Sequence, residues 1–349
     1  MSPIATVVVG YGLAGRAFHC PLIARQPLLR LHGIVARDPV VRSEGSGTWN
    51  ARGYSSLDEA LADPEVRLVV LATPHDTHVE LTERVLDAGR DCVVDKVMAL
   101  STAGADRMIA ARDRSGRMLS VFHNRRWDWD FLTLRHALAI DAIGRPLWFE
   151  SSVCRYAPPR TWRGHADSAG TILHDWGAHL IDQALLLGLG PCRRLTAWVT
   201  PAPWPGVDSG GHGRIAMEFD SVTFMVETSR VCRLDRPRWW VLGTEGGVIK
   251  LGVDPQEDAL RAGDLDHAQE PAEHTMRLRR PGAGGTTAES PFPTVRGSWD
   301  TYYRNVAEHL CGSAPLLVTA EQAREVVRVL DAATQSANDH RIVTGPWGY

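Results

Sequence analysis

At 349 residues, with 38 basic against 41 acidic side chains, the chain is too long for one small core and too evenly charged to suggest a nucleic-acid or membrane-surface partner. It has no apolar run long enough to span a bilayer, and the first strand pattern begins about four residues in, so neither a membrane anchor nor export is expected. Six scattered cysteines, Cys20, Cys92, Cys154, Cys192, Cys232 and Cys311, lack metal-ligand spacing and read as reduced packing residues of a cytoplasmic protein with no metal centre.

From residue 4 to about 122, short apolar runs alternate with amphipathic segments, the pattern of βαβ units on a parallel sheet. Strands are predicted over 6–9, 31–35, 68–72, 92–94 and 119–122. The first strand runs into Gly10, Gly12 and Gly15, a G-x-G-x-x-G array that opens a helix predicted over 13–25. Gly10 suits a tight turn, Gly12 a close approach of backbone to a pyrophosphate, and Gly15 close packing of helix on strand. Leu13 and Ala14 then place their N–H groups at a helix start, where phosphate is favoured. Ser56 with Glu59 fits a capping box, Gly89 a helix stop and Ser101 a further cap.

The second strand ends at Ala36-Arg37, where an acidic residue would select NAD(H). An uncharged Ala36 beside the Arg37 guanidinium favours NADP(H) over NAD(H), since arginine pairs with phosphate and stacks on adenine. Arg37 as a solvated loop residue is the competing reading, and Asp38 remains able to reach a ribose. Thr73, Pro74, His75 and His78 follow another strand and open a helix, which places them to line the dinucleotide. For the two histidines, capping or packing is an equal alternative.

Beyond Asn124 the order changes. Helices are predicted over 127–140 and 171–187, strands over 147–155, 194–200, 214–219, 222–230 and 239–242, an irregular excursion over 262–296, and closing helices over 298–310 and 320–336. Successive strands with short turns imply an antiparallel sheet. The fold class is therefore α/β plus α+β. Residues 1–122 form a doubly wound Rossmann domain and residues 123–349 a substrate-binding domain on an open, mostly antiparallel sheet. Eleven of the twelve tryptophans lie after residue 122, so an apolar sheet face and a homodimer or homotetramer are expected.

Six ordered motifs carry a resemblance: GYGLAG at 10–15, ATPHDTH at 72–78, VVDKV at 93–97, HNRRWDWDF at 123–131, LHDWGAHLID at 173–182 and GVDPQED at 252–258. Together they resemble the Gfo/Idh/MocA oxidoreductases, and within them the NADP-dependent inositol dehydrogenases. The resemblance matches Lys96 to the family lysine of an E-K-P segment, and Asp175 and His179 to its D-x-x-x-H pair. Asp95 stands here for the glutamate and Val97 for the proline.

The resemblance implies that the chain interconverts a secondary alcohol of a cyclic polyol or sugar with its ketone, with Lys96, Asp175 and His179 as the catalytic group. It places Asp95, Asn124 and Arg125 on the cofactor side, and Arg155, Trp162, Arg163 and Asp182 on the substrate side. The residues alone point the same way. Lys96 ends a parallel strand, where functional groups of such sheets collect, and a carboxylate four residues before a histidine can hold its imidazole on one helix face. A packing role for Trp162, a helix-start role for Asn124 and Arg125, and a salt bridge for Asp182 stay open. An NAD-dependent glycosidase and a non-catalytic nicotinamide-binding regulator are the rival functions.

Overall fold

The computed structural model describes residues 2–349, which divide into two compact units. The first consists of residues up to Asn124 with Gln256–Ala268 and Trp299–Arg324; the second of Arg125–Pro255, Gln269–Ser298 and Glu325–Tyr349. Two segments assigned by chain order to the second domain thus belong with the first. Arg25 explains part of this, because its guanidinium is held by Asp266 at 2.5 Å and Asp300 at 2.9 Å. Ser120 likewise donates to the Val318 carbonyl at 2.8 Å.

In the first unit, β1 (Ile4–Val9), β2 (Leu29–Val35), β3 (Arg52–Tyr54), β4 (Leu68–Leu71), β5 (Asp91–Val94) and β6 (Leu119–Val121) form one sheet in the order β3-β2-β1-β4-β5-β6. Every pairing is parallel. Strands β1, β4, β5 and β6 are buried throughout, as expected when helices cover both faces. The sequence reading missed β3, a three-residue edge strand with Gly53 at its centre and no apolar alternation. The helix after β1 spans 13–24, and its stretch Gly15–His19 is wound as wider π turns. Ser56 and Ser101 cap their helices by accepting from the Glu59 and Gly104 N–H groups.

The second unit adds β7 (Pro146–Cys154), β8 (Cys192–Thr200), β9 (His212–Glu218), β10 (Thr223–Ser229), β11 (Trp239–Gly243), β12 (Gly246–Lys250), β13 (Arg277–Pro281), β14 (Thr287–Pro291) and β15 (Val343–Trp347). Their order is β14-β13-β12-β11-β7-β10-β9-β8-β15, and the sheet is mixed, because β7 and β10 run parallel while the other neighbours are antiparallel.

The excursion predicted over 262–296 contains the β13–β14 hairpin. Both strands are solvated on nearly every residue, so no apolar period marked them. β12 begins with two glycines and β15 contains Gly345-Pro346, which hid them as well.

The register settles which face is covered. Val248, Val241, Phe149, Phe224, Met217 and Leu195 lie in one cross-strand row and are all buried. The opposite row reads Ile249, Trp240, Glu150, Met225, Ala216 and Thr196. Trp198, on that same face, is 50 % exposed and Trp240 37 %. Among the described residues, no helix is long and apolar enough to cross a membrane.

Candidate active site

The glycine turn behaves as three different positions. Gly10 has φ +97°, and a Cβ there would come within 2.5 Å of the Ala72 carbonyl oxygen. A Cβ on Gly15 would lie 2.0 Å from the Gly10 oxygen. At Gly12, a Cβ would meet nothing within 4 Å. Two glycines are therefore demanded by the fold itself. The third leaves an open cradle at a helix start, flanked by the exposed Leu13 and by Ala14, which fits a pyrophosphate. Gly10 and Ala72 directly follow the adjacent strands β1 and β4, where the order of the sheet reverses.

Beyond β2, Ala36 is buried and Arg37 exposed. Asp38 caps the helix Pro39–Trp49, its Oδ1 accepting the Val40 N–H at 2.8 Å and the Val41 N–H at 3.3 Å. That carboxylate is thus engaged in the cap. Arg42 donates to the Ala36 carbonyl at 2.8 Å and fixes the turn from beneath. Among the described residues the Arg37 guanidinium has no carboxylate partner, so it is available to a ligand phosphate.

The loop after β4 is held from below. Thr77 donates to the Pro74 carbonyl and lies 2.7 Å from the Thr73 hydroxyl. His78 is fully buried, with Nδ1 2.8 Å from the Val97 oxygen and Nε2 3.1 Å from the Thr73 oxygen. Burial pushes its pKa down. The ring therefore ties two loops together, which is the packing reading of His78. His75 is also buried, its ring 5.6 Å from that of His78.

Lys96 follows β5, and its backbone N–H donates to Asp95 Oδ1 at 2.8 Å. The Lys96–Val97 peptide is cis. Burial alone would raise the Asp95 carboxyl, yet His19, Lys96 and His78 hold it down to about 2. His19 Nε2 lies 3.8 Å from Asp95 Oδ1, and its Nδ1 is 2.6 Å from the Tyr303 hydroxyl. The sequence pattern singles out neither residue: His19 is a lone polar residue in an apolar helix, and Tyr303 is one of several polar residues in the mixed helix Asp300–Leu310. Asn124 is buried at the start of the turn Asn124–Trp127.

In the second unit, the helix predicted over 171–187 is broken. A short turn, Ile172–His174, is closed by Thr171 and His174 as a capping box, and Asp175 (ψ −95°) separates it from the helix Trp176–Leu186. Asp175 is therefore not one turn before His179 on a continuous helix. It stands at the N-terminal boundary of the next one without a side-chain capping bond, and its Oδ2 lies 3.8 Å from the buried Arg230 Nη2. His179 is buried, with its ring 6.0 Å from Trp176.

Arg125 lies with its guanidinium 3.8 Å above the Trp176 ring and 3.3 Å from Asp128 Oδ2, and Gln183 Nε2 donates to its carbonyl at 2.7 Å. These bonds tie it to the helix that carries His179. Arg155 lies 6.0 Å from the Trp176 ring, and Arg163 stacks on Trp162 at 4.5 Å.

Asp182 adopts its ion-pair alternative. Arg126 grips it in a bidentate pair, at 2.9 Å from Nε and 2.7 Å from Nη2, and the Tyr349 hydroxyl donates to Oδ1 at 2.5 Å. Burial opposes the Arg126 charge, but Asp182 holds its pKa above the ordinary value; burial and Asp182 push Tyr349 up. Both carboxylate oxygens of Asp182 are thus taken up in this buried lock. Arg126 sits inside the 123–131 motif, whereas nothing near Tyr349 in the chain signals its role.

Residues 4–123 match the model of an oxidoreductase family with an NAD-binding Rossmann fold, and residues 131–249 match the GFO/IDH/MocA C-terminal domain. The chain belongs to the Gfo/Idh/MocA oxidoreductases. It is 31% identical over 343 residues to the scyllo-inositol 2-dehydrogenase (NADP(+)) IolW of Bacillus subtilis, covering 96% of this chain and 94% of that protein. The uncharacterized oxidoreductase YdgJ of Escherichia coli is 33% identical over 340 residues, 96% of each chain. The solved structure of the oxidoreductase YvaA from Bacillus subtilis superposes with a TM-score of 0.91 at 30% identity, over 99% of both chains. This Gfo/Idh/MocA protein is thus an NAD(P)-dependent oxidoreductase of that family.

Proposed function

We propose that the protein interconverts a secondary alcohol of a cyclic polyol or sugar with its ketone, and that it prefers NADP(H) to NAD(H). The observation that carries this reading is that one chain holds both an open glycine cradle at Gly12 and the Asp175–His179 turn set against Trp176, Arg125 and Arg230. The name of the relative IolW supports the substrate class and the cofactor.

Gly10 to Gly15, Thr73, Pro74 and Asn124 would hold the dinucleotide, with Arg37 on the phosphate of its adenosine ribose. The chemistry the cofactor supplies when bound is hydride transfer to or from the carbinol carbon.

His179 is the general base that takes the hydroxyl proton during oxidation as the neutral imidazole and returns it during reduction as the imidazolium. Lys96 is the cation proposed to stabilise alkoxide character, with its backbone fixed by the ionised Asp95. Asp175 orients the group, and Arg155, Arg163 and Trp162 engage the ring substituents. The Asp182–Arg126–Tyr349 lock keeps the His179 helix in place.

Self-association through the sheet face that bears Trp198 and Trp240 completes the reading, because that face presents large apolar groups to water. Six free thiols suit a reducing, cytoplasmic setting. A spectrophotometric screen of inositols, aldoses and their keto forms with both cofactors tests the proposal. Reduction of NADP+ by at least one cyclic polyol is expected. Turnover with none sinks it, and release of an aglycone without net NADPH would favour the glycosidase.

A further inference from the structure

We infer that the substrate carries an acidic group, a carboxylate or a phosphate, and that Arg155, Arg163 and Arg230 bind it beside Asp175. The inference rests on the dehydrogenase reading above for its reacting alcohol. Its starting point is the end of one strand pair. β7 and β10 run parallel and finish together, with Cys154 opposite Ser229, so the next residues of both strands, Arg155 and Arg230, leave from the same end of the sheet. Arg155 N–H donates to the Ser229 carbonyl at 3.0 Å, and Ala157 N–H to the Arg230 carbonyl at 2.9 Å, which keeps the two arginines side by side. Arg230 then brings in the third, because its Nη1 donates to the Arg163 carbonyl at 3.1 Å and to Ser209 Oγ at 2.9 Å.

This end of the sheet is also where the reaction is proposed. Arg230 Nη2 is 3.8 Å from Asp175 Oδ2, and Arg155 lies over the Trp176 ring that borders His179. The charge there does not balance. Residues 155–163 contain Arg155, Arg160 and Arg163 and no acidic residue. Among the described residues, neither Arg155 nor Arg163 is within ion-pair reach of a carboxylate.

Elsewhere in this unit most arginines on or beside the sheet strands are paired, Arg193 with Asp220, Arg194 with Glu218, Arg236 with Glu227, and Arg277 and Arg279 with Glu289, while Arg280 donates to the Ala142 carbonyl. Burial pushes the Arg230 guanidinium below its ordinary value; Asp175 opposes this, and Arg163 and Arg155 add to it. Three cations against one facing carboxylate repel one another, and a neutral polyol relieves none of that repulsion. An anion relieves it and gains charge-assisted, fork-shaped hydrogen bonds.

The test is calorimetric binding to the NADP+-saturated full chain. D-glucose is compared with D-glucuronate and D-glucose 6-phosphate, and myo-inositol with its monophosphate, so that the carboxylate and phosphate arms separate the two sources of charge. At least one acid is expected to bind ~10-fold or more tightly than its neutral counterpart, and the advantage should shrink as salt rises from ~0.05 to ~0.5 M. Arg155→Gln and Arg163→Gln should each remove most of that advantage, weakening the acid several-fold more than its neutral counterpart. If no acid binds more tightly than its neutral counterpart, the inference is overturned, whether or not neutral polyols are oxidised. Tight acid binding without NADP+ reduction would instead keep the anion site and sink the dehydrogenase reading.

Discussion

In the first unit the proposed dinucleotide surface is backbone: Gly10 and Gly15 press against carbonyl oxygens, and Gly12 holds space open. In the second unit the proposed substrate surface is made of guanidinium, indole and imidazole groups from just beyond β7 and β10 and from the helix Trp176–Leu186. The contrast follows from what each must recognise. A dinucleotide always presents a pyrophosphate, which N–H groups at a helix start can serve. A small substrate is distinguished only by the placement of its substituents, which needs side chains of chosen length and charge. Damage should accordingly come from added atoms in the first unit and from lost partners in the second.

The largest expected effect is at Asp182. Asp182→Asn leaves Arg126 buried without its counter-charge, and should cost about 3–5 kcal/mol in chemical denaturation while sparing dinucleotide affinity. A change near zero would show that the lock is dispensable and blur the contrast.

His174 comes next. Burial pushes its pKa down to about 4 from an ordinary value of 6.5, so the unfolded chain takes up a proton in a range where the folded chain does not. Stability is therefore undiminished above about pH 6.5, falls as pH drops from about 6.5 to about 4, and flattens below that, by on the order of 3 kcal/mol in all. Thermal midpoints across that range should fall more steeply for the native protein than for His174→Gln; equal slopes would remove His174 as the cause.

His179→Ala should lower turnover about 100-fold, close to 3 kcal/mol, with dinucleotide binding kept, and Lys96→Met should be comparably damaging. Near-native turnover in the His179 variant would overturn the base assignment.

The glycines sharpen the contrast from the other side. Gly15→Ala pushes a methyl onto the Gly10 oxygen and should cost about 1–3 kcal/mol of stability. Gly12→Ala should leave stability within about 0.5 kcal/mol but weaken dinucleotide binding, since its methyl meets only open space in the protein. Matching effects on stability at both positions would show that the cradle is ordinary fold. Smallest of all, Arg37→Ala should weaken NADP(H) a few-fold and hardly change NAD(H), as measured by fluorescence titration of both.

Local chemistry alone made the dinucleotide half readable. The G-x-G-x-x-G spacing, the continuous apolar runs of β1 and β4 and the caps at Ser56 and Ser101 are each determined by residues within a few positions of one another. Elements without such a local signature escaped: the three-residue β3, the solvated β13–β14 hairpin and the glycine-led β12. Tertiary structure decided the rest. It broke the helix at Asp175 and turned that carboxylate toward Arg230, more than fifty positions away in the chain. Through the pairing of β7, β10 and β11 it also chose which tryptophans face water, a choice that a one-residue slip would have reversed. The Asp182–Arg126–Tyr349 lock is the clearest case. A carboxylate, a guanidinium and a phenol have no preferred sequence spacing, and only burial makes their mutual hydrogen bonds worth more than those to water.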